Sequence, residues 1–436
     1  MIEAVLNKWR GGALRQKCRG AVSDTNCRAI IGVLRMLLSL ADRQPRTSVT
    51  MKILKTLIAS CTLQLTLGYA SHADEIIFST SAGDVVLSTV AANLESPWSL
   101  AFLPSGEMLV TERPGRLRLV RDGRVSPPIE GVPSVFAEGQ SGLLDVAIAH
   151  DFKTSRTIYF CFGESADGGA RIAVARARLL ADESPRLDQV ETIFHQVGEV
   201  TRGPAIINIG CRIVEADDGN LFIALGDHAA NSRQALPAQL LDNHLGKIVR
   251  IHPHGGAPLD NPFLKTVRAL PEIWAFGLRN PEGLAFNPTT SELWEQEHGP
   301  MGGDEINIIS KGGNYGWPLV SYGRNYDGTP VGEGEQRKAG LIDPVWHWTP
   351  SIAVSGMMFY TGELFPAWKG SLFNGGLKSK ILSRLVLDGN RVVSEERMLD
   401  GLNERIRDVR QGYDGAIYIL TDNKEGRILR MKPRKT

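Results

Sequence analysis

The chain has 436 residues, of which 42% are hydrophobic and 46 are glycine, so it is long enough to bury a substantial core and rich in the residue that turns require. Its formal net charge of +1 averages two unlike parts. The first 73 residues carry 11 Lys and Arg against 3 Asp and Glu, which leaves 38 against 45 after Ala73, a net charge of −7 that argues against a nucleic-acid partner.

From Met51 the sequence MKILKTLIASCTLQLTLGYASHA sets Lys52 and Lys55 before an apolar stretch and ends in Ser71-His72-Ala73. This is the pattern of a secretory signal over 51–73, with a mature chain that starts near Asp74 and is delivered to the periplasm. Residues 1–50 are rich in Arg and lack a sustained helical or strand period, so they read as untranslated sequence upstream of a start at Met51, or else as a basic extension. The run Ile58-Ala59-Ser60-Cys61 offers a second reading, a lipoprotein anchored at Cys61. Beyond Ala73 only Cys161 and Cys211 remain, both in apolar, strand-like contexts, and they read as buried thiols or as one disulfide. No other stretch is long and apolar enough to form a membrane-spanning helix.

From Trp98 onward one unit recurs: a short apolar strand, a turn with Asp, Pro or Gly, and a second apolar strand ending in a polar residue. It opens at Trp98, Leu143, Ile209, Glu282, Ser355 and Ile406. Six such hairpin units predict an all-β fold, a six-bladed β-propeller spanning 74–436, in which each blade buries its faces against its neighbours. The segments 237–262 and 321–350 are rich in Gly, Pro and Asn and read as long loops on one face. In a propeller such loops converge on the central axis, so residues distant in sequence meet there.

The loop positions after the inner strands give Gln140, Asp227, Arg279, Asn280, Ser351, Lys378, Arg405, Arg407 and Asp422. Four of these are cations, and several cations on one rim imply an anionic ligand, since unpaired they repel. Taken alone, Arg405 and Arg407 read equally well as surface partners of Glu404 and Asp408. In 276–318 the Gly299-Pro300 turn precedes Asp304 and Glu305, and Tyr315 lies in the next Gly-rich turn. Carboxylates and backbone carbonyls on such closely spaced loops suit Ca²⁺. The nine histidines show no zinc-ligand spacing, and there is no phosphate loop, dinucleotide fingerprint or nucleophile elbow.

The pieces PWSLAFLPSGEMLVTERPGRLRLV, GQSGLLDVAIAHDF, LRNPEGLAF, EQEHGPMGGDEIN, GGNYGWP and RIRDV together resemble the soluble quinoprotein glucose/sorbosone dehydrogenases, and within them the aldose sugar dehydrogenases that depend on pyrroloquinoline quinone (PQQ). The resemblance covers nearly all of the chain after Ala73. It implies PQQ held over the central channel, its three carboxylates clamped by cations, with Ca²⁺ beside the quinone. By matched position, Arg279 and Asn280 stand beside the quinone, Lys378, Arg405 and Arg407 form the clamp, and Ser351 and Asp422 make further cofactor contacts. Gly299 and Pro300 match carbonyls on the catalytic Ca²⁺, Glu305 and Tyr315 match a second, structural Ca²⁺ site, and Gln140 matches a sugar contact.

The chemistry so implied is oxidation of the C1 hydroxyl of an aldose to a lactone, with electrons passed to an external acceptor such as a quinone or a cytochrome. One position departs from the family. Asn208 opens the run Asn208-Ile209-Gly210-Cys211-Arg212 where the family places a catalytic His, and an amide cannot take up a proton near neutral pH. Asp227 matches the partner of that His and remains as a weaker base, while His228, His298 and His347 are the imidazoles in or next to matched motifs. Two other functions follow from the same residues: a propeller that binds PQQ or sugar with little turnover, and a Ca²⁺-dependent lactonase, which leaves the cations without a purpose.

Overall fold

The computed structural model describes residues 75–166, 169–198, 206–229 and 236–435, so the expectations for 1–50 and for the signal over 51–73, Cys61 included, lie outside the described residues. Each recurring unit opens one blade. The inner strands are Pro97–Phe102, Leu143–Ile148, Cys211–Glu215, Pro281–Phe286, Val354–Phe359 and Ile406–Gln411, and they touch one another in that cyclic order around a central channel. Blades 1 to 5 are four-stranded sheets, and blade 6 has five strands.

Second strands such as Leu221–Leu225 and Ile417–Thr421 are buried at every position, because a neighbouring blade covers each face. That burial explains their nearly continuous apolar sequences, LFIAL and IYILT. The core is correspondingly divided by interface. Leu109, Leu119, Phe160 and Ala175 fill the gap between blades 1 and 2, for example, and Phe373, Leu382, Ile417 and Ile419 fill that between blades 5 and 6.

Blade 6 is completed from the other end of the chain. Gly83–Leu94 pairs antiparallel with Gly426–Pro433, with Leu87 opposite Met431 and Val86 opposite Lys432, and Ile76–Thr80 adds a fifth strand outside it. The ring is therefore clasped by hydrogen bonds between its two ends.

Part-way along, the channel is crossed by ion pairs. Arg212, almost fully buried, reaches Asp145 at 3.0 Å and Asp408 at 3.3 Å, and donates its Nε to the Glu282 carbonyl at 2.6 Å. Asp145 also accepts from Ser99 Oγ at 2.6 Å, and Asp408 from the Leu100 amide at 3.0 Å. Burial opposes the charge on Arg212, yet Asp408, Asp145 and Glu282 hold its pKa above the ordinary value. Removing one partner would strand a buried charge, so this cluster fixes the relative placement of five inner strands.

Cys161 and Cys211 form a disulfide that joins blade 2 to blade 3 and closes a loop with a sequence separation of 50. Restricting the unfolded chain over such a loop contributes about 2–4 kcal/mol. Reduction is accordingly expected to lower the melting temperature of the protein and to leave a Cys161→Ser/Cys211→Ser variant, already less stable, unmoved. Equal melting curves for oxidised and reduced protein would contradict this.

Candidate active site

The mouth is built from the residues just before each inner strand and just after each second strand, where the chain turns over the channel. Asn208 precedes the inner strand of blade 3 with φ 55°, a left-handed backbone that Asn and His adopt more readily than most residues. Its amide N–H donates to Gln140 Oε1 at 2.7 Å, and its side-chain Nδ2 donates to Asp227 Oδ1 at 2.8 Å. Since an oxygen of Gln140 accepts here, its Nε2 donor is left to the exposed side of the residue. Gly226 holds the opposite wall close, for a Cβ there would lie 2.0 Å from the Asn208 carbonyl.

Asp227 is buried and heavily used. Oδ1 also accepts from the Ala229 amide at 2.8 Å, and Oδ2 accepts from the Trp317 indole at 2.8 Å. Trp317 in turn lies under the Arg279 guanidinium, 5.3 Å from its ring centroid. Arg279 Nη1 donates to the carbonyls of His298 and Gly299, both at 3.0 Å, so the Gly299 carbonyl faces the guanidinium at the mouth. Below this loop Asp304 accepts from the Gly299 amide at 3.0 Å, the Ser351 hydroxyl at 2.8 Å and the Ala353 amide at 2.7 Å. Ser351 thus spends its proton on Asp304.

A second run of contacts crosses the axis. Asn280 Oδ1 accepts from the Gly210 amide at 2.8 Å and its Nδ2 donates to Glu282 at 3.0 Å. Glu282 meets Arg407 at 3.1 Å, Arg407 meets Asp422 at 3.3 Å, and Arg405 Nε meets the same Asp422 oxygen at 2.8 Å. The surface reading of the two arginines is therefore overturned. Glu404 pairs with Arg427, and Asp408 with Arg212 and Arg410, while Arg405 and Arg407 both turn to Asp422. Arg407 is buried with its Nε lacking an acceptor among the described residues. Lys378 is exposed, with no ion pair among the described residues, one residue beyond the Leu377 carbonyl that Arg405 contacts. Burial opposes the charge of Asp422, but Arg407 and Arg405 pull its pKa below the ordinary carboxylate value.

Glu305 lies on the third strand of blade 4 and Tyr315 in the loop that follows it. Glu305 lies opposite Glu297 in strand register, and Tyr315 ties its hydroxyl to the Ile308 carbonyl at 2.6 Å. Burial, then the charge of Glu297, pushes the pKa of Glu305 well above the ordinary value, and burial raises Glu297 to about 8 despite amide bonds from Arg279 and Asn280. Among the described residues no three His, Cys, Asp or Glu side chains converge on a point that would hold a metal, so the calcium expectation rests on carbonyls with one carboxylate.

The three imidazoles in or next to the matched motifs sit in different surroundings. Burial lowers the His228 pKa to about 3, which keeps the ring neutral and a poor proton acceptor. His298 donates Nε2 to the Val354 carbonyl at 2.6 Å and turns Nδ1 to Asn280 at 3.4 Å. His347 stacks on Tyr322 with centroids 4.0 Å apart.

Sequence reasoning missed Glu282, Glu297, Trp317 and Arg113. Glu282 and Trp317 lie inside the pieces LRNPEGLAF and GGNYGWP, and the signal for Glu282 was an acid near the start of an otherwise apolar inner strand. The loop that carries Trp317 is pinned from beneath: Gln239 donates to the Trp317 carbonyl at 2.8 Å, and Lys247 donates to the carbonyls of Pro237, Ala238 and Leu245 at 2.9, 3.1 and 2.6 Å.

A closed six-bladed ring with a cation-rich mouth at one end of its channel defines a β-propeller with a polar axial site. The glucose/sorbosone dehydrogenase family model matches residues 94–430, and the chain belongs to that family of oxidoreductases. It is 45% identical over 345 residues to aldose sugar dehydrogenase YliI of Escherichia coli, covering 78% of this chain and 91% of that protein. The apo-form structure of the soluble aldose sugar dehydrogenase from Escherichia coli superposes with a TM-score of 0.75 at 43% identity, covering 80% of this chain and 100% of that one. The PQQ-bound form of aldose sugar dehydrogenase from Streptomyces coelicolor gives 0.66 at 27%, covering 80% and 98%.

Proposed function

We propose that the protein is a PQQ- and Ca²⁺-dependent aldose dehydrogenase that oxidises the C1 hydroxyl to the lactone and passes electrons to an external acceptor. The observation that carries this reading is the surplus of cations at the mouth: two arginines share Asp422, Arg407 keeps an orphaned Nε, and Lys378 has no counter-charge among the described residues. A tricarboxylate fits that surplus, and lactone hydrolysis does not use it. Export to the periplasm is part of the proposal, supported by the signal pattern over 51–73 and by a disulfide of the kind that persists in oxidising compartments.

When bound, PQQ would supply the hydride acceptor and Ca²⁺, on the Gly299 and Pro300 carbonyls, the charge that polarises it. The chain supplies position and a place for the hydroxyl proton. Gln140 Nε2 would donate to a sugar oxygen, and Arg405, Arg407 and Lys378 would hold carboxylates. Proton removal is the weak step. Both oxygens of Asp227 are occupied, and its link toward Gln140 is the Asn208 amide, which hydrogen-bonds a hydroxyl without accepting its proton. That observation favours a second reading within the same family, a propeller that binds PQQ and sugar with low turnover. Reconstitution with PQQ and Ca²⁺, followed by dye reduction across a panel of aldoses, decides between them: PQQ binding without reduction supports the second, and lactone hydrolysis without PQQ overturns both.

A structural Ca²⁺ at Glu305 and Tyr315 has a pH signature. The folded-state pKa of Glu297 lies near 8, above its ordinary 4.5, so metal-free protein loses stability as pH rises from about 4.5 to about 8. A divalent cation relieves that loss and competes with protons at lower pH. Ca²⁺ is expected to raise the melting temperature more at pH 8 than at pH 5, and less in Glu305→Gln; a shift independent of pH and of Glu305 would remove this site.

A further inference from the structure

Blade 1 contributes to the mouth a side chain that no part of the reading so far uses. In five blades the residue one or two places beyond the second strand stands at the mouth: Arg113 after Glu112, Asp227 after Leu225, Gly299 after Glu297, Lys378 after Gly376 and Asp422 after Thr421. Arg113 therefore occupies in blade 1 the place that Lys378 and Asp422 hold in blades 5 and 6. Its electrostatic neighbours agree with that placement, being Asp422, Arg407, Arg405 and Glu282. Burial comes first in lowering its pKa, Asp422 and Glu282 oppose the shift and Arg407 and Arg405 add to it, so the guanidinium sits partly enclosed in a cluster of both charges.

Only one of its donors is engaged among the described residues: Nη1 reaches the Gly139 carbonyl at 3.1 Å. The chain is shaped to receive the side chain at that spot. A Cβ on Gly142 would lie 2.2 Å from the Arg113 carbonyl and 2.3 Å from its Cγ, so the stem packs where only glycine leaves room. Nη1 is fixed by the turn that presents Gln140, and the other edge of the fork, Nε and Nη2, has no partner among the described residues. A planar fork held by one corner, with two donors to spare beside Arg405 and Arg407, matches a carboxylate.

We infer that Arg113 is a further ligand-binding residue, an arm of the cation clamp that takes a carboxylate of the bound tricarboxylate cofactor. The inference rests on the PQQ reading above, and a carboxylate on the sugar offers the same chemistry from a second source.

The test is equilibrium binding of PQQ to the Ca²⁺-loaded protein without sugar, for wild type, Arg113→Gln and Arg113→Lys. Gln keeps a donor for the Gly139 carbonyl while removing the charge, so an effect through the Gln140 turn alone leaves Arg113→Gln like wild type. Loss of one charge-assisted contact predicts PQQ affinity about tenfold to a hundredfold weaker in Arg113→Gln, with partial recovery in Arg113→Lys. Unchanged melting of the metal-free variants shows the fold intact. Normal PQQ affinity with a selective loss of kcat/KM for glucuronate over glucose assigns the carboxylate to the substrate and keeps Arg113 as its receptor. Variants that match wild type in both measurements overturn the inference, whereas a wild-type protein that takes up no PQQ overturns the cofactor reading instead, and equilibrium binding of glucuronate to wild type and Arg113→Gln, weaker in the variant or equal in both, then decides Arg113.

Discussion

Asn208→His is expected to raise kcat for aldose oxidation by about 10² to 10⁴, the range that a positioned general base contributes. The reason is local. The Asn208 Nδ2 donates to Asp227 Oδ1 at 2.8 Å, and an imidazole in its place donates Nδ1–H to the same oxygen, which fixes the tautomer and leaves Nε2 as an acceptor toward the sugar. The backbone at φ 55° admits either residue. The gain should appear in kcat more than in KM, and the pH profile should acquire a limb near the ordinary imidazole range, about 6.5. Stopped-flow dye reduction on PQQ-loaded protein measures both. A rate that stays level or falls would mean that another atom already removes the proton, and the low-turnover reading would lose its basis.

Arg405→Ala/Arg407→Ala should abolish retention of PQQ through dialysis. Each charge-assisted contact contributes about 1.5–3 kcal/mol, so losing two weakens binding by about two to four orders of magnitude. Because Arg407 also balances the buried Glu282, its removal threatens the inner strand of blade 4 as well as the ligand. Arg405→Ala alone separates the effects: its side chain is 43% exposed, so the fold should melt as in wild type while PQQ is held more weakly. Full retention in both variants contradicts the clamp.

The fold was legible because the strands that line the channel are the most repetitive part of the chain, and each repeat marks the start of a blade. What remained illegible was long-range. Nothing in the local pattern of Ile76–Thr80 and Gly83–Leu94 says that they finish the sixth blade, since Leu87 meets Met431 at the far end of the sequence. The site divides in the same way. Gln140, Asn208, Asp227, Arg279, Asn280, Arg405 and Asp422 lie in loops whose position follows from the repeat, Arg407 is the second residue of its inner strand, and contacts join them. Trp317 and Glu282 escaped because an indole in a Gly-rich turn and an acid in a strand look like packing and solvation until the ring brings Asp227 and Arg407 to them. Arg113 escaped because its neighbour Arg116, which pairs with Glu95 and Glu112, makes the whole turn look like a surface ion-pair cluster.

The clasp in blade 6 also sets an order of events. Gly83–Leu94 is made before the other five blades and its partner Gly426–Pro433 after them, so the early strand must wait through their formation with an open hydrogen-bonding edge. A contact of such sequence separation makes for slow completion and for an intermediate that can pair with other chains, or with a second copy of itself, before the ring shuts. Shortening Gly426–Pro433 would therefore lengthen the sticky phase of folding as well as loosen the finished clasp.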